Sequence, residues 1–336
     1  MSRRVEALVS GMGTLRVGRD SRRQGQRRVQ PRYRRIPRTL AKGIMDRLII
    51  NAALTGMVPR RADNPHVPLS EGEIVADAAR AVNAGASILH LHVRHPDESP
   101  AYELALNDSL FRAVRAACPG VIISGSTSGR SVSEIEKRGA VLDAHPDLAS
   151  LTLGSMNFPT QASVNPPAVI RGLAARMRER GIIPELEIFD LGMADFAHVL
   201  VEKGDLPLPG YANILLGSLG TAAASAFNLA AIARALPSRI TWAAAGIGRY
   251  QLPMNSMAIA IGGHVRVGLE DNLWMDGAAK RDPASNLRLI ERVVAIARAN
   301  GREVASCADT RTHLGLPTPA GATALAATVP HVSPHV

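Results

Sequence analysis

The feature that most constrains this chain is a rhythm. Eight short runs of apolar, largely β-branched residues recur at 47–54, 87–93, 121–127, 148–154, 184–190, 211–218, 240–246 and 264–270, with helical patterns between them. Strand-like runs alternating with amphipathic helices imply parallel strands joined by helical crossovers. The first such helix is marked at both ends: Ser70 precedes Glu73 by three residues, the capping-box spacing, and Gly85 follows the last turn. "LALNDSLFRAVRAAC", "PPAVIRGLAARMRERG" and "TAAASAFNLAAIARAL" repeat the pattern, and "DPASNLRLIERVVAIARANG" stops at Gly301. Eight β/α units at this length predict a single-domain (β/α)8 TIM barrel. The competing architecture, a doubly wound open sheet, usually carries a glycine-rich phosphate loop after its first strand. "NAALTGMVPRRADNP" contains neither GxGxxG nor a Walker sequence, so the barrel is the expected fold.

Charge divides the chain into parts. Residues 1–44 hold 13 basic and 2 acidic residues, leaving 26 basic and 27 acidic residues in the remainder. The net charge of +10 therefore belongs to the N-terminal segment, and the near-neutral body offers no nucleic-acid-binding surface. Residues 1–44 read as a disordered Arg-rich extension, residues 45–316 as the barrel domain, and 317–336 as a mobile tail. The extension is open to three readings: a tail that touches nucleic acid or anionic lipid, a transit-like segment, or upstream translation with Met45 as the natural start. The third is favoured, because ordered sequence begins abruptly at "MDRLIINAALTG". With 46% hydrophobic but only 3% aromatic residues, the core must be aliphatic. No apolar run approaches the roughly 20 residues needed to span a bilayer. Cys118 and Cys307 form no CxxC pair, which suits a reducing cytoplasm.

Chemistry in such a barrel belongs at the C-terminal ends of the strands. In "ASILHLHVRHP", His90 and His92 share one face of the second strand, a pairing that by itself suits solvated or core-satisfied histidines as well as it suits a divalent metal, zinc above all. In "HVRVGLEDN", the eighth strand puts His264, Arg266, Gly268 and Glu270 on one face, with Asp271 at the lip. Taking the second and eighth strands as neighbours, His90, His92 and Glu270 make a three-ligand site with an open fourth position, the mark of catalytic rather than structural zinc. Gly268 would leave room above the axis, and Arg266 would pair with Glu187 behind the metal. Blander roles also have weight. Glu185 and Glu187 equally suit barrel filling, and His264 suits a structural role. His66 and His95 suit solvated loops, and Trp242 and Trp274 suit packing.

Taken in order, "NAALTG…ADNPHVPLSEGEI", "GASILHLHVR", "SGSTSG", "PELEIFDLGM", "WAAAGIGRYQLP" and "GGHVRVGLEDN" resemble the β-keto acid cleavage enzymes, from about Met45 to Leu316. The resemblance implies a zinc-dependent homotetramer that condenses a β-keto acid with acetyl-CoA to give acetoacetate and a new acyl-CoA. By motif position, His90, His92 and Glu270 match the zinc ligands, Asp271 the acid/base, Arg266 its partner and Glu187 a supporting acid. Ser126, Gly129 and Ser150 match positions that hold the substrate carboxylate, with Ser150 in place of the prototype's Thr. Where the prototype has a glutamate for the substrate ammonium, this chain has Val58. An apolar residue cannot pair with an amine, so the expected substrate lacks the amino group of 3-keto-5-aminohexanoate and is neutral or apolar at that end. Two other classes remain: a CoA-independent metal-dependent aldolase or lyase on the same barrel, and a non-enzymatic protein whose basic tail binds nucleic acid.

Overall fold

The computed structural model describes residues 47–159 and 161–317. The Arg-rich extension expected at 1–44 and the tail beyond Pro317 lie outside the described residues. Eight parallel strands form a closed barrel: β1 (Ile50–Ala53), β2 (Ile88–Leu91), β3 (Ile122–Gly125), β4 (Leu148–Thr152), β7 (Ile183–Ile188), β8 (Gly210–Leu216), β9 (Ile240–Gly246) and β10 (His264–Val267). A two-stranded antiparallel hairpin, β5 (Met156–Asn157) and β6 (Ala162–Ser163), is inserted after β4. Around the barrel lie α1 (Glu71–Ala84), α2 (Leu104–Ala117), α3 (Ile135–Gly139), α4 (Pro167–Glu179), α5 (Leu191–Glu202), α6 (Ala226–Ala235), α7 (Gln251–Ala260) and α8 (Asn286–Ala299). The (β/α)8 expectation is met, and each expected apolar run overlaps one barrel strand.

Local sequence explains the helix limits. Ser70 and Glu73 form a full capping box at the start of α1, and Gly85 receives its last turn. Asp190, Ser225 and Ser285 accept backbone N–H bonds at the starts of α5, α6 and α8. Each such cap satisfies a donor that the helix cannot, an effect of about 1 kcal/mol.

The barrel interior is layered. Ile49, Ile88, Ile122, Leu148, Tyr211 and Ala243 fill its lower end and meet Leu314 from a last helix, α9 (Cys307–Leu314). Burying an Ile or Leu there contributes about 1.5–3 kcal/mol, which offsets the cost of the polar layer directly above. Arg311 seals this end: its Nε donates to Gly120 O at 2.8 Å, and its Nη2 meets Asp147 Oδ1 at 2.9 Å. His264 belongs here, not at the chemical end. Its Nδ1 accepts the Ile49 N–H at 3.0 Å, and its ring faces His313.

Strand order corrects one expectation. In the closed barrel, β10 pairs with β1 and β1 pairs with β2, so the second and eighth strands are not neighbours. They meet across β1 because β1 is nearly bare on that stretch. Ala53 faces the interior, and the Glu270 N–H donates to Ala53 O at 3.2 Å. No helix among the described residues is long and apolar enough to cross a membrane.

Candidate active site

The pleat carries Ile88, His90 and His92 onto one inward face, apolar below and imidazole above. On the register partners of that layer stand Ser124 beside His90 and Arg266 beside Asn51. Glu185 lies at the centre of it, fully buried. Its Oε1 accepts from Asn51 Nδ2 at 2.5 Å and Asn213 Nδ2 at 2.6 Å. Its Oε2 accepts from the Ser124 hydroxyl and faces His90 Nδ1 at 2.8 Å. Burial alone would favour the neutral acid, but the His90 ring, Arg266 and these donors hold Glu185 down at about 2. An ionised Glu185 takes the proton on His90 Nδ1 and leaves Nε2 as the nitrogen that faces the cavity, where, against burial, Glu185 and Glu270 raise the ring's pKa.

There His90 Nε2 and His92 Nε2 stand 3.1 Å apart. Glu270 Oε1 lies 3.8 Å from the first and 3.3 Å from the second. Three ligands at tetrahedral corners, with bonds of about 2.0–2.1 Å, would be separated by about 3.3 Å. Glu270 Oε2 is buried and makes no hydrogen bond among the described residues. Two facing imidazole nitrogens and a carboxylate with an orphaned oxygen fit a divalent cation, and this donor set suits zinc.

Arg266 organises the acids beside that cluster. It is fully buried, with Nη2 2.9 Å from Glu270 Oε1, Nε 2.9 Å from Asp271 Oδ2 and Nη1 3.7 Å from Glu187 Oε1. Burial opposes its charge, but Asp271 and Glu270 outweigh that and hold its pKa well above the usual value. Burial likewise raises Asp271 and Glu187. Glu270 goes the other way: burial is overcome by the imidazoles and Arg266, and it stays ionised. Two adjacent carboxylates therefore hold their protons differently, one suited to ligation and one to proton transfer.

Two glycines allow this geometry. A Cβ on Gly56, where φ is +70°, would stand 2.6 Å from Glu270 Cγ. On Gly268 it would stand 2.0 Å from Ala53 O. Gly268 thus lets β10 close on the β1 backbone, rather than clearing the barrel axis as expected.

Above these groups opens a cavity of about 760 Å³, lined by His90, His92, Ser126, Glu187, Arg266, Glu270, Asp271 and, at its edge, the half-exposed Val58. Trp274 lines it too, although its sequence suggested packing alone. Ser150 and Gly129 stand behind the wall: Ser150 Oγ accepts the Thr127 N–H at 3.0 Å, and Gly129 lies against the Arg138 guanidinium. Arg138 Nε in turn donates to Thr127 O at 3.0 Å, so the loop bearing Ser126 is held from beneath. Arg94 clamps the facing loop, with Nε to Gly56 O at 2.8 Å and Nη2 to Pro59 O at 2.9 Å. Sequence reasoning missed the roles of Glu185, Arg138 and Arg94. The Glu185/Glu187 pairing was visible, but nothing local says which of two inward acids reaches the histidine.

A family model described as beta-keto acid cleavage enzyme matches residues 47–316. The 3-oxoadipate:acetyl-CoA acetyltransferase of Cupriavidus necator is 40% identical over 273 residues, which cover 80% of this chain and 95% of that protein. The 3-keto-5-aminohexanoate cleavage enzyme of Fusobacterium nucleatum is 38% identical over 274 residues, covering 81% and 99%. Among solved structures, apo ObcA superposes with a TM-score of 0.65 at 19% identity, covering 75% of this chain and 66% of that one, a likeness of fold alone.

Proposed function

The chain belongs to the beta-keto acid cleavage enzyme family, and on that premise we propose that it transfers an acyl group between a β-keto acid and acetyl-CoA, yielding acetoacetate and a new acyl-CoA. The observation that carries this reading is the conjunction of His90, His92 and Glu270 with Asp271, clamped by Arg266, on the floor of one cavity. The catalytic unit is residues 45–316, apart from the extension at 1–44 and the tail at 317–336. On the same resemblance the enzyme is a homotetramer, and Cys118 and Cys307, which form no CxxC pair, suit a cytoplasmic location.

His90, His92 and Glu270 would hold zinc, which when bound supplies a Lewis acid for the keto and carboxylate oxygens of the substrate. The Ser126 hydroxyl and the loop fixed by Ser150, Gly129 and Arg138 receive the substrate carboxylate. Asp271 takes a proton from the carbon between the two carbonyls, and Arg266 stabilises the carboxylate before and after that transfer. The carbanion carbon bonds to the thioester carbonyl, and CoA thiolate leaves. The thiolate then adds to the original ketone carbon, and the bond from that carbon to the former carbanion carbon breaks. Asp271 returns the proton to the new acetoacetate, so protons and electrons balance. Glu187 holds Arg266 from the opposite side. Val58 gives no partner to an ammonium, so the substrate lacks one.

The test is purified chain with a panel of β-keto acids and acetyl-CoA labelled in its acetyl carbons. The expected product is labelled acetoacetate with unlabelled acyl-CoA, formed only when acetyl-CoA is present. Keto acid cleavage that persists without acetyl-CoA would overturn this in favour of the CoA-independent lyase.

A further inference from the structure

Cations that face the cavity should answer to something. Arg249 is already engaged, its Nη2 donating to Tyr250 Oη at 2.7 Å. Arg130 is different. It extends from the loop after β3, the loop that carries Ser126, and its guanidinium carbon lies 3.4 Å from the centroid of the Phe158 ring. That ring, from the β5–β6 hairpin, orients the guanidinium plane and shields one face of it. The side chain is more than half shielded from water, and its guanidinium forms no ion pair or hydrogen bond with any other described residue. Burial lowers its pKa, although the Glu270, Glu187 and Asp271 carboxylates act against that from across the cavity. A planar, charged donor fork stacked on an aromatic ring in the wall of a ligand cavity, with the cavity's acids too distant to bond, is a receptor for an oxyanion.

We infer that Arg130 binds a second anionic group on a reactant, in the first instance a distal carboxylate of the β-keto acid, which makes the substrate a β-keto dicarboxylate. This rests on the proposed function for its first carboxylate and replaces the neutral far end that Val58 alone suggests. Val58 removes the site for a positive charge, and Arg130 supplies one for a negative charge. The same fork suits a phosphate of CoA, whose chemistry it would read in the same way.

Titration calorimetry separates these sources without turnover. The full chain is titrated with adipate and with hexanoate, six-carbon acids that differ in one carboxylate, and with CoA and pantetheine, which lacks the phosphates of CoA together with its adenosine. Wild type should bind adipate at least tenfold more tightly than hexanoate. Arg130→Gln should abolish that ratio while moving hexanoate less than twofold, and Arg130→Lys should restore part of it. Arg130→Gln weakening CoA, with the adipate-to-hexanoate ratio and pantetheine binding intact, would overturn the dicarboxylate in favour of the phosphate. Ratios unchanged for both pairs would overturn the anion receptor altogether. Absence of acyl transfer with every β-keto acid would defeat the proposed function while leaving the calorimetric ratio to decide Arg130.

Discussion

At the scale of single residues, environment divides labour among side chains of the same type. Glu185, Glu187, Glu270 and Asp271 all point toward one arginine or one histidine pair, yet only Glu185 and Glu270 have their pKa values pulled below the ordinary carboxylate range. Asp271 and Glu187 are pushed up by burial. Asp271→Asn keeps the shape and one acceptor for Arg266 but removes the exchangeable proton. Its expected effect is a fall in kcat of about 100-fold or more with metal content unchanged. Near-wild-type turnover in that variant would remove Asp271 from the chemistry. The histidine pair, Arg266 and Glu270 were readable because the two-residue period of a strand fixes which side chains share a face, and Asp271 because it follows at the lip of the same strand. Glu185 was not, since its role depends on two asparagines and a serine from three other strands.

At the scale of elements, the strand–helix alternation was legible because each run repeats a simple period and the helices announce themselves with caps. What escaped was short or topological. The β5–β6 strands are two residues each, too brief for any periodicity, although they carry Phe158 into the cavity wall. Helix α9 has eight residues and little segregation of apolar side chains, so it does not read as a barrel plug. The place of β1 between the two site-bearing strands follows from closure rather than from local sequence. That seam yields its own prediction. Gly268→Ala drives a methyl group to 2.0 Å from Ala53 O, a backbone atom that cannot turn aside. The cost should be about 2 kcal/mol, read as a Tm lowered by about 4–8 °C, with weaker metal retention because Glu270 shifts. An unchanged Tm would mean that the seam is looser than described.

At the scale of the whole molecule, the barrel separates stability from chemistry by end. The lower end is sealed by aliphatics, α9 and a neutral His264, whose pKa burial and the charges of His313 and Arg302 depress to about 3. An unfolded histidine titrates near 6.5, so between these values the unfolded chain binds a proton that the folded chain refuses. His264 thus favours the fold fully above about pH 6.5, and stability should fall with acidification toward pH 3 by up to about 1.4 kcal/mol per pH unit. His264→Asn keeps an acceptor for the Ile49 N–H without the titration, so its denaturation midpoints should decline less steeply with acid; parallel slopes would contradict this. The upper end rests on a single claim, that residues from β2 and from beyond β10 converge on one cation. The most direct test is elemental analysis of full-length protein purified without chelator, wild type beside His92→Ala. One zinc per chain in the wild type and none in the variant, with both folded by circular dichroism, is the predicted result. Equal metal in the two, or none in an active wild type, would contradict it.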